Sequence, residues 1–390
     1  MFKYYKMVFV VIVVVIFSTI FMGVGICAPQ ESKGTIGILP KSIECDWFSI
    51  WAVGGKWYLE SKGYEVIIGN PQWEAEKQIT IMKTWALDPS IKGVLVSCSG
   101  GEAASVGIEA LVDAGKVVIV TDAPGGYSEG TKLTVVYPVY DSSYGAGEKV
   151  VDLLKNKYGE PKGTVVLGVG NLTDTNHVLR ASGFRDALKK YPDIEINEIA
   201  SGTGDILGTA STRLSSLIRS LPNIDVIFSI HMPEFQGFVS AVQSENLAYP
   251  IGDPKHIILA GIDSAPYIIN PAIREKIVDF AVDQPVLGYN AIGAYYLVRI
   301  LEEGDSVIPK VGEILYPEVM PQIKPPYEEI DFLLPGDSWA PAKVIDTTKE
   351  QGHITILTNY LIIDSTNVDD PSLWSNFYTM MSEKNLKWGF

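Results

Sequence analysis

Two aspartates follow apolar runs at matching points of two similar stretches of sequence, Asp122 after 117–121 and Asp263 after 256–261. A pair of carboxylates can flank one bond, as the acid and the nucleophile or base of a glycosidase do. Each carboxylate can instead accept hydrogen bonds from the hydroxyls of a bound ligand, or it can cap the helix that follows its strand. The sequence leaves these interpretations open, because it does not give the distance between the two side chains.

Further polar and aromatic side chains stand near predicted strand ends. Arg180 begins the run R-A-S-G-F on a predicted helix, and it is either a hydrogen-bond donor to a ligand or part of a solvated face. His231 follows the apolar run 224–230 and is either a ligand contact or a loop histidine. Trp47 and Phe48 begin the first predicted helix, where a flat ring can cover the C–H face of a ligand or pack in the core.

The sequence lacks most of the short motifs that are typical of hydrolases, nucleotide-binding enzymes and zinc sites. It has no H-E-x-x-H, no C-x-x-C, no G-x-G-x-x-G and no phosphate-binding G-x-x-x-x-G-K, and its G-x-S-x-G run at 126–130 precedes a predicted strand rather than the helix that follows the nucleophile turn of a hydrolase. We therefore predict a protein that is not an enzyme and that uses no cofactor and no metal ion. Cys45 and Cys98 could form one disulfide or remain two thiols.

The N-terminal residues predict export. Two lysines precede an uncharged, largely apolar segment at 7–28, which is typical of a signal peptide and also long enough for a membrane anchor. In either case the rest of the chain lies outside the cytoplasm and is tethered to the membrane or released. Cys27 is a possible lipidation site, although Ile26 departs from the usual residue before it. Asn171 begins a possible glycosylation sequence.

Overall charge argues against one class of partner. The 390 residues carry a formal net charge of -15. A nucleic-acid-binding surface needs an excess of positive charge to neutralise phosphates, so we predict no nucleic-acid partner.

The elements that must position these residues alternate regularly. Short apolar runs alternate with segments of helical periodicity from residue 34 to about 304, which predicts mostly parallel sheets with helices on both faces. The predicted strands are 35–39, 64–68, 93–97, 117–121, 134–139, 164–169, 194–200, 224–230, 256–261 and 277–282.

The sequence contains an internal repeat. The run K-G-T-I at 33–36 resembles K-G-T-V at 162–165, and later strands of both series end in Asp and then Pro, at 122–124 and 263–266. This repeat predicts two α/β lobes whose strand ends face a common cleft. The predicted division is a signal peptide or anchor at 1–28, a first lobe at 29–140 with a return at 284–310, a second lobe at 141–283, and a Pro-rich extension at 311–390 with a late strand at 353–364 and a C-terminal tail.

An ordered set of these features resembles a known family. The export signal, the two lobes, R-x-x-G-F at 180–184, the strand-end Asp at 261–263 and V-D-Q-P at 282–285 resemble the type I periplasmic solute-binding proteins of ABC importers, in particular the ribose-binding-protein-like sugar binders. The resemblance covers about 34–304. It implies two doubly wound parallel-sheet lobes joined by a hinge, with the ligand cleft between them.

The resemblance also implies a ligand site. The positions that match the family's ligand contacts are Trp47, Phe48, Ser97, Asp122, Arg180, His231, Asp263 and Gln284. Ala123 stands where relatives often have Arg, and His231 where they more often have Asn or Asp. The run D-Q-P is one residue shorter than the D-Q-Q-P of many relatives, so Asp283 could take the role of Gln284.

The function implied by the resemblance is capture of a small polar solute, most often a sugar, and its delivery to the permease of an ABC importer. A sensory protein that signals to a membrane partner is the main alternative, and a carbohydrate-active enzyme is a more distant one.

Overall fold

The computed structural model of the chain describes residues 32–172, 174–202, 204–221 and 223–387. Its strands are β1 Thr35–Leu39, β2 Glu65–Ile68, β3 Ile91–Val96, β4 Val117–Thr121, β5 Leu133–Val136, β6 Gly163–Gly168, β7 Ile194–Ile199, β8 Val226–Ser229, β9 Ile258–Ile262, β10 Phe280–Asp283, β11 Ile314–Leu315, β12 Ala342–Ile345, β13 Ile354–Leu357 and β14 Leu361–Ile363. Its α-helices are α1 Asp46–Ser61, α2 Ala75–Leu87, α3 Ser105–Asp113, α4 Val139–Tyr158, α5 Thr175–Leu188, α6 Ile206–Ser220, α7 Met232–Ser244, α8 Ile269–Arg274, α9 Val286–Glu303, α10 Thr348–Gln351 and α11 Trp374–Glu383.

The strands form two sheets of the same basic order. The larger sheet runs β11-β12-β13-β5-β4-β3-β1-β2, and the smaller runs β14-β10-β9-β8-β6-β7. We call the layers around the first sheet lobe 1 and those around the second lobe 2. The first five strands of each lobe are parallel and share the order 5-4-3-1-2. The predicted fold class, two doubly wound parallel-sheet lobes, is confirmed.

Val and Ile fill these strands because both faces of each sheet are covered by helices. In lobe 1, Val94 and Val96 of β3 belong to the core under α2 and α3, whereas Leu95 between them belongs to the core under α1 and α9. In lobe 2, Val165 and Leu167 face one core, and Val166 faces the other. The alternation of side chains along a strand therefore builds one core on each side of each sheet.

The chain passes between the lobes three times, after β5, after β10 and between β13 and β14. The helices that follow the first two crossings pack closely, α4 along α5 and α9 along α1. At each contact a glycine permits the approach. A Cβ on Gly183, the glycine of R-x-x-G-F, would lie 2.4 Å from the Tyr140 carbonyl oxygen, and one on Gly54 would lie 2.4 Å from that of Leu287.

The C-terminal extension joins both sheets. It was predicted to be irregular apart from one late strand at 353–364, but β11, β12 and β13 lie in lobe 1 and β14 lies in lobe 2. The late strand is divided after Thr358, whose backbone N–H still donates to Val136 of β5, because the backbone N–H of Asn359 donates to Trp339 instead and β14 then pairs with β10 of lobe 2. The tail contains a helix, α11.

The predictions for residues 1–28, including Cys27, lie outside the described residues. In the part of the chain that the structure describes, no helix has both the length and the apolar character needed to cross a membrane.

Candidate functional site

A cavity of about 930 Å³ lies between the lobes, at the carboxyl ends of the parallel strands. Most residues predicted for the ligand site line it, namely Trp47, Phe48, Asp122, Arg180, His231, Asp263 and Gln284. Ser97 and Asp283 do not. The cavity wall also contains residues that the sequence did not indicate, among them Lys41, Trp73, Asp174 and His177.

Asp122 and Asp263 occupy equivalent positions in the two lobes. Each follows the fourth strand of its sheet with a positive φ, 72° for Asp122 and 69° for Asp263. Each donates its backbone N–H to the fifth strand, Asp122 to Val135 at 3.0 Å and Asp263 to Val282 at 2.7 Å. Neither residue caps a helix, because Pro138 and Ile268 hold the caps of the helices that follow. The helix-cap interpretation is therefore wrong.

Asp122 is a buried acceptor on the lobe 1 side. Burial raises its pKa above the usual value, while nearby Lys41 and a hydrogen bond from Ser97 oppose the rise. The Ser97 hydroxyl donates to Asp122 Oδ2 at 2.6 Å and is fully buried. Ser97 was predicted to contact ligand directly. The structure instead places it behind Asp122, because its hydroxyl is used by that carboxylate.

Asp263 is the corresponding acceptor on the lobe 2 side. Gln284 donates its side-chain amide to Asp263 Oδ1 at 2.5 Å, and Tyr289 donates its hydroxyl to Gln284 Oε1 at 3.2 Å. The Arg180 guanidinium lies 3.8 Å from Asp263 Oδ2. These contacts fix the carboxylate on one side and leave it at the cavity surface on the other.

Arg180 is held in place from both lobes. Its Nε donates to the Tyr137 hydroxyl at 2.5 Å, directly after β5, and its Nη1 donates to the Ile230 carbonyl at 3.0 Å. Burial by itself lowers the pKa of Arg180, but Tyr137 and the Asp263 carboxylate outweigh it and the pKa lies above its usual value. The guanidinium therefore stays charged and presents fixed donors to the cleft.

Two histidine rings meet on the lobe 2 side, with the centroids of His177 and His231 4.3 Å apart. His177 Nδ1 accepts the backbone N–H of Asn171 at 2.9 Å. Burial, together with His231, lowers the pKa of His177 well below its usual value, so its ring is neutral at pH 7.

His231 has polar atoms that nothing in the described residues satisfies. Its side chain is buried, and neither ring nitrogen has a hydrogen-bond partner among the described residues. The nearest carboxylate oxygen, Oε2 of Glu234, is 3.6 Å from Nδ1. The indole nitrogen of Trp47 is likewise buried and unpaired. An unpaired buried polar group costs about 1–3 kcal/mol, so these atoms are suited to a polar ligand in the cleft.

The aromatic wall comes from the start of α1. The rings of Trp47 and Phe48 meet edge to face at 4.8 Å, and Phe48 contacts Trp73 at 5.4 Å. Trp47 also contacts Tyr289 at 6.1 Å. Both rings thus pack against neighbouring rings and also line the cavity. Each ring therefore has both of the roles that the sequence left open, core packing and a face towards the ligand site.

An ion pair joins the lobes across the cleft. The Lys41 ammonium, just after β1, lies 3.5 Å from Asp174 Oδ2. Asp174 caps α5, where its other oxygen accepts the backbone N–H of Asn176 at 2.8 Å. Burial alone raises the pKa of Asp174, but Lys41 and His177 lower it below the usual value. The rule that strand ends meet the cleft could have indicated Lys41, because it follows the first strand.

Asp283 is directed away from the cavity. Its Oδ1 accepts from the Trp374 indole at 3.0 Å, and its Oδ2 accepts from the Ser264 hydroxyl at 2.7 Å. Burial and the neighbouring Asp263 raise its pKa to about 7. The prediction that Asp283 could replace Gln284 is wrong, because consecutive side chains point to opposite sides and Gln284 is the one in the cavity wall.

The two cysteines and the possible glycosylation site add no reactive group to the cavity. Cys45 and Cys98 are free thiols, and burial raises their pKa values to about 11 and about 12, so the thiols are protonated and unreactive. Asn171 lines the cavity, where a glycan would occupy the cleft. Over the described residues, no group of three or more His, Cys, Asp or Glu side chains could hold a metal ion.

Comparison with known proteins gives several relatives. The chain is 24% identical over 237 residues to the D-apiose import binding protein of Actinobacillus succinogenes, a match that spans 60% of this chain and 72% of that protein. A carbohydrate transporter solute-binding protein from Agrobacterium radiobacter, solved with D-arabinose, superimposes with a TM-score of 0.67 at 15% identity, over 88% of this chain and 98% of that one. A solute-binding protein from Bacillus halodurans with bound myo-inositol superimposes with a TM-score of 0.65 at 14% identity, over the same shares.

A family profile decides the assignment. Residues 36–306, more than half of the chain, match the periplasmic binding protein domain. Members of this family are exported proteins that bind solutes and are not enzymes. The chain therefore belongs to the periplasmic binding protein family, and its two lobes have the type I fold.

Proposed function

We propose that the protein captures a neutral sugar or a similar polyol in the cleft and delivers it to the permease of an ABC importer. The observation that carries this proposal is the pair of buried carboxylates, Asp122 and Asp263, one from each lobe and both at the surface of a single cavity. A ligand that donates hydroxyls to both would bridge the lobes.

The chemistry of the wall supports a polyol. Carboxylates accept hydrogen bonds from hydroxyl groups, and Arg180 supplies charge-assisted donors beside them. The rings of Trp47 and Phe48 suit the C–H faces of a sugar. The cavity wall contains four carboxylates for two cationic side chains, which disfavours a ligand that bears a negative charge; they are Asp122, Asp174, Asp205 and Asp263 against Lys41 and Arg180. The relatives named for D-apiose, D-arabinose and myo-inositol have ligands of this kind.

The same arrangement supports a hinge. Three crossing segments connect the two sheets along the chain, and after β14 the chain returns to the lobe 1 core through α11. The proposed moving parts are 29–140 with 284–310 on one side and 141–283 on the other. Closure would bring Asp122 and Asp263 onto one ligand, and opening would separate Lys41 from Asp174. Two-lobed proteins commonly close on their ligands in this way.

We also propose that the N-terminus tethers the protein at the outer face of the membrane, through the 7–28 segment or through a lipid on Cys27. Membrane fractions from expressing cells should contain the protein and release it on mild proteolysis outside the cell. Cys27→Ser separates the two routes. Loss of the tether in that variant indicates a lipid, and its retention indicates an anchor.

The binding proposal is tested by calorimetric titration of the protein, purified without refolding, with D-apiose, D-arabinose, D-tagatose, D-galactose and myo-inositol. We expect at least one of them to bind with a Kd in the micromolar range or below, and D-glucuronate to bind far more weakly than its neutral counterparts. If none binds, and native mass spectrometry shows a co-purified ligand that is not a polyol, the sugar assignment is wrong. Co-purification with a permease or with a receptor would separate an importer from a sensory protein.

A further inference from the structure

The C-terminal helix α11 lies directly behind the lobe 2 wall of the cleft. The indole Nε1 of Trp374 donates to Asp283 Oδ1 at 3.0 Å, and the Ser375 hydroxyl is 2.9 Å from that of Ser264. Asp283 and Ser264 are fully buried, and neither lines the cavity. They are, however, the immediate neighbours of Gln284 and Asp263, which do.

One carboxylate connects this helix to both strand ends of the wall. Asp283 Oδ1 also accepts the backbone N–H of Gln284 at 3.0 Å, while its Oδ2 accepts the Ser264 hydroxyl at 2.7 Å. The side chain of Asn270 adds a donor to Ser375 at 2.9 Å. The backbone beside Asp263 and Gln284 is thus fixed by contacts that end on α11. Side chains held in place before a ligand arrives lose less freedom on binding.

The same helix reaches the element that carries the aromatic wall of lobe 1. The ring of Phe377 contacts Trp57 of α1 at 6.0 Å. The Tyr378 hydroxyl hydrogen-bonds the carboxylate of Asp46, the first residue of α1. The two residues after Asp46 are Trp47 and Phe48. The Tyr378 ring also lies 6.2 Å from that of Tyr267 in lobe 2.

We propose that α11 is a brace that positions both walls of the cleft, the Asp263–Gln284 wall through Asp283 and Ser264, and the Trp47–Phe48 wall through Asp46 and Trp57. The inference rests on the proposed function, since it concerns the same cleft. Trp374 and Tyr378 are positioning residues, because neither lines the cavity. The brace lies beyond residues 36–306, the part that matches the family profile.

The first test needs no ligand. Hydrogen–deuterium exchange is followed in the parent and in Trp374→Phe, which keeps an aromatic ring and loses the N–H donor. Trp339→Phe is the matched control, because its indole also donates a hydrogen bond, to the Gly336 carbonyl at 2.8 Å, but does not reach Asp283. We expect residues 261–266 and 283–286 to exchange about 10-fold faster in Trp374→Phe only, as the loss of one buried hydrogen bond predicts. Equal exchange in parent and Trp374→Phe would overturn the proposal.

The second test uses the tightest-binding sugar of the panel above. Trp374→Phe and Tyr378→Phe should each weaken its binding about 3- to 10-fold with little change in Tm. The control for Tyr378 is Tyr127→Phe, which removes a hydroxyl that donates to the exposed Glu129 carboxylate at 2.7 Å.

A double-mutant cycle separates positioning from general stabilisation. If Trp374 acts through Asp283, then Trp374→Phe combined with Asp283→Asn should weaken binding no more than the stronger single variant. Additive losses would show that the two residues act separately and would overturn the route through Asp283. If no sugar of the panel binds the parent, the proposed function fails, and the exchange experiment still decides whether the brace exists.

Discussion

At the scale of single residues, the two strand-end aspartates should each contribute strongly to ligand binding. Replacing a carboxylate by an amide removes the charge and turns one acceptor oxygen into a donor that opposes a ligand hydroxyl in a buried site, which costs about 1–3 kcal/mol, or about one to two decades in affinity. Asp122→Asn and Asp263→Asn should each weaken sugar binding by that amount. Because both grip one ligand, the double variant should lose less than the sum.

Calorimetry with the panel sugar measures these losses, and Asp113→Asn is the control, since Asp113 is exposed at the end of α3. If either cleft variant binds like the parent, the paired carboxylates do not form the site.

The buried Asp283 gives a pH-dependent contribution to stability. Its pKa is raised to about 7 in the folded protein, above the ordinary value of 3.8. The folded state therefore holds a proton that the unfolded state releases, and the contribution of Asp283 to stability is lost as pH rises from about 4 to about 7. We expect the Tm of the parent relative to Asp283→Asn to fall between pH 4.5 and pH 8. A constant difference across that range would contradict the assigned ionisation.

The sequence could predict these residues only in part. Asp122, Asp263 and His231 were found because strand ends in parallel sheets meet at one edge, whereas Arg180 was indicated by the run R-A-S-G-F on a predicted helix and Gln284 by the family resemblance. Whether a side chain enters the cavity or turns behind it depends on neighbours that sequence order does not reveal. Ser97 donates its hydroxyl to Asp122 and so lies behind it. Asp283 and Gln284 are consecutive residues, yet the side chain of Asp283 is buried away from the cavity and that of Gln284 lines it.

At the scale of elements, the packing of α4 on α5 depends on one glycine. A Cβ at Gly183 would lie 2.4 Å from the Tyr140 carbonyl oxygen, so Gly183→Ala must push the helices apart. Overpacking of this kind costs about 1–3 kcal/mol, which exceeds the gain of up to about 1 kcal/mol from helix propensity. Chemical denaturation should therefore show a lower free energy of unfolding.

Gly288→Ala is the matched control within α9. The nearest atom to its Cβ would be Trp339 Cβ at 3.3 Å, so the space is far less restricted. We expect a change of less than about 1 kcal/mol there. If both variants lost the same free energy of unfolding, the close contact between α4 and α5 would not be the reason that residue 183 must be glycine.

The sequence predicted the strands and helices of the repeat well, because buried parallel strands and amphipathic helices have clear periods. The extension was harder. Its prolines indicated irregular structure, yet β11 and β12 pair antiparallel at the edge of the lobe 1 sheet. The late strand at 353–364 looked continuous, and only its distant partners divide it between the lobes, since β13 pairs with β5, Asn359 donates to Trp339, and β14 pairs with β10.

At the scale of the whole molecule, the sequence indicated two lobes and a cleft but not how the lobes are held together. The repeat locates the strand ends, whereas contacts between lobes join residues far apart in the chain. Arg180 bonds Tyr137 and lies near Asp263, and α11 contacts both walls. Such contacts produce no periodic pattern of residues that could be recognised in the sequence, because each is made by single residues on elements far apart in the chain.

The Lys41–Asp174 ion pair should bias the molecule towards closure. The two charged atoms lie 3.5 Å apart across the cleft, and the side chain of Lys41 is mostly buried, so the pair is screened less than one at the surface. Opening the hinge must separate them. Lys41→Gln keeps a polar side chain and removes the charge, so we expect the ligand-free variant to have a larger radius of gyration in small-angle scattering.

The apparent affinity for the ligand falls when the closed form is less populated. Lys41→Gln should therefore also bind the panel sugar more weakly, by about 3- to 10-fold. Lys56→Gln is the control, because Lys56 is similarly buried but pairs with Glu60 on its own helix, where opening changes nothing. High salt should reproduce part of the effect in the parent and none of it in Lys41→Gln. An unchanged radius of gyration in Lys41→Gln, with unchanged affinity, would show that the pair lines the cleft without holding the lobes together.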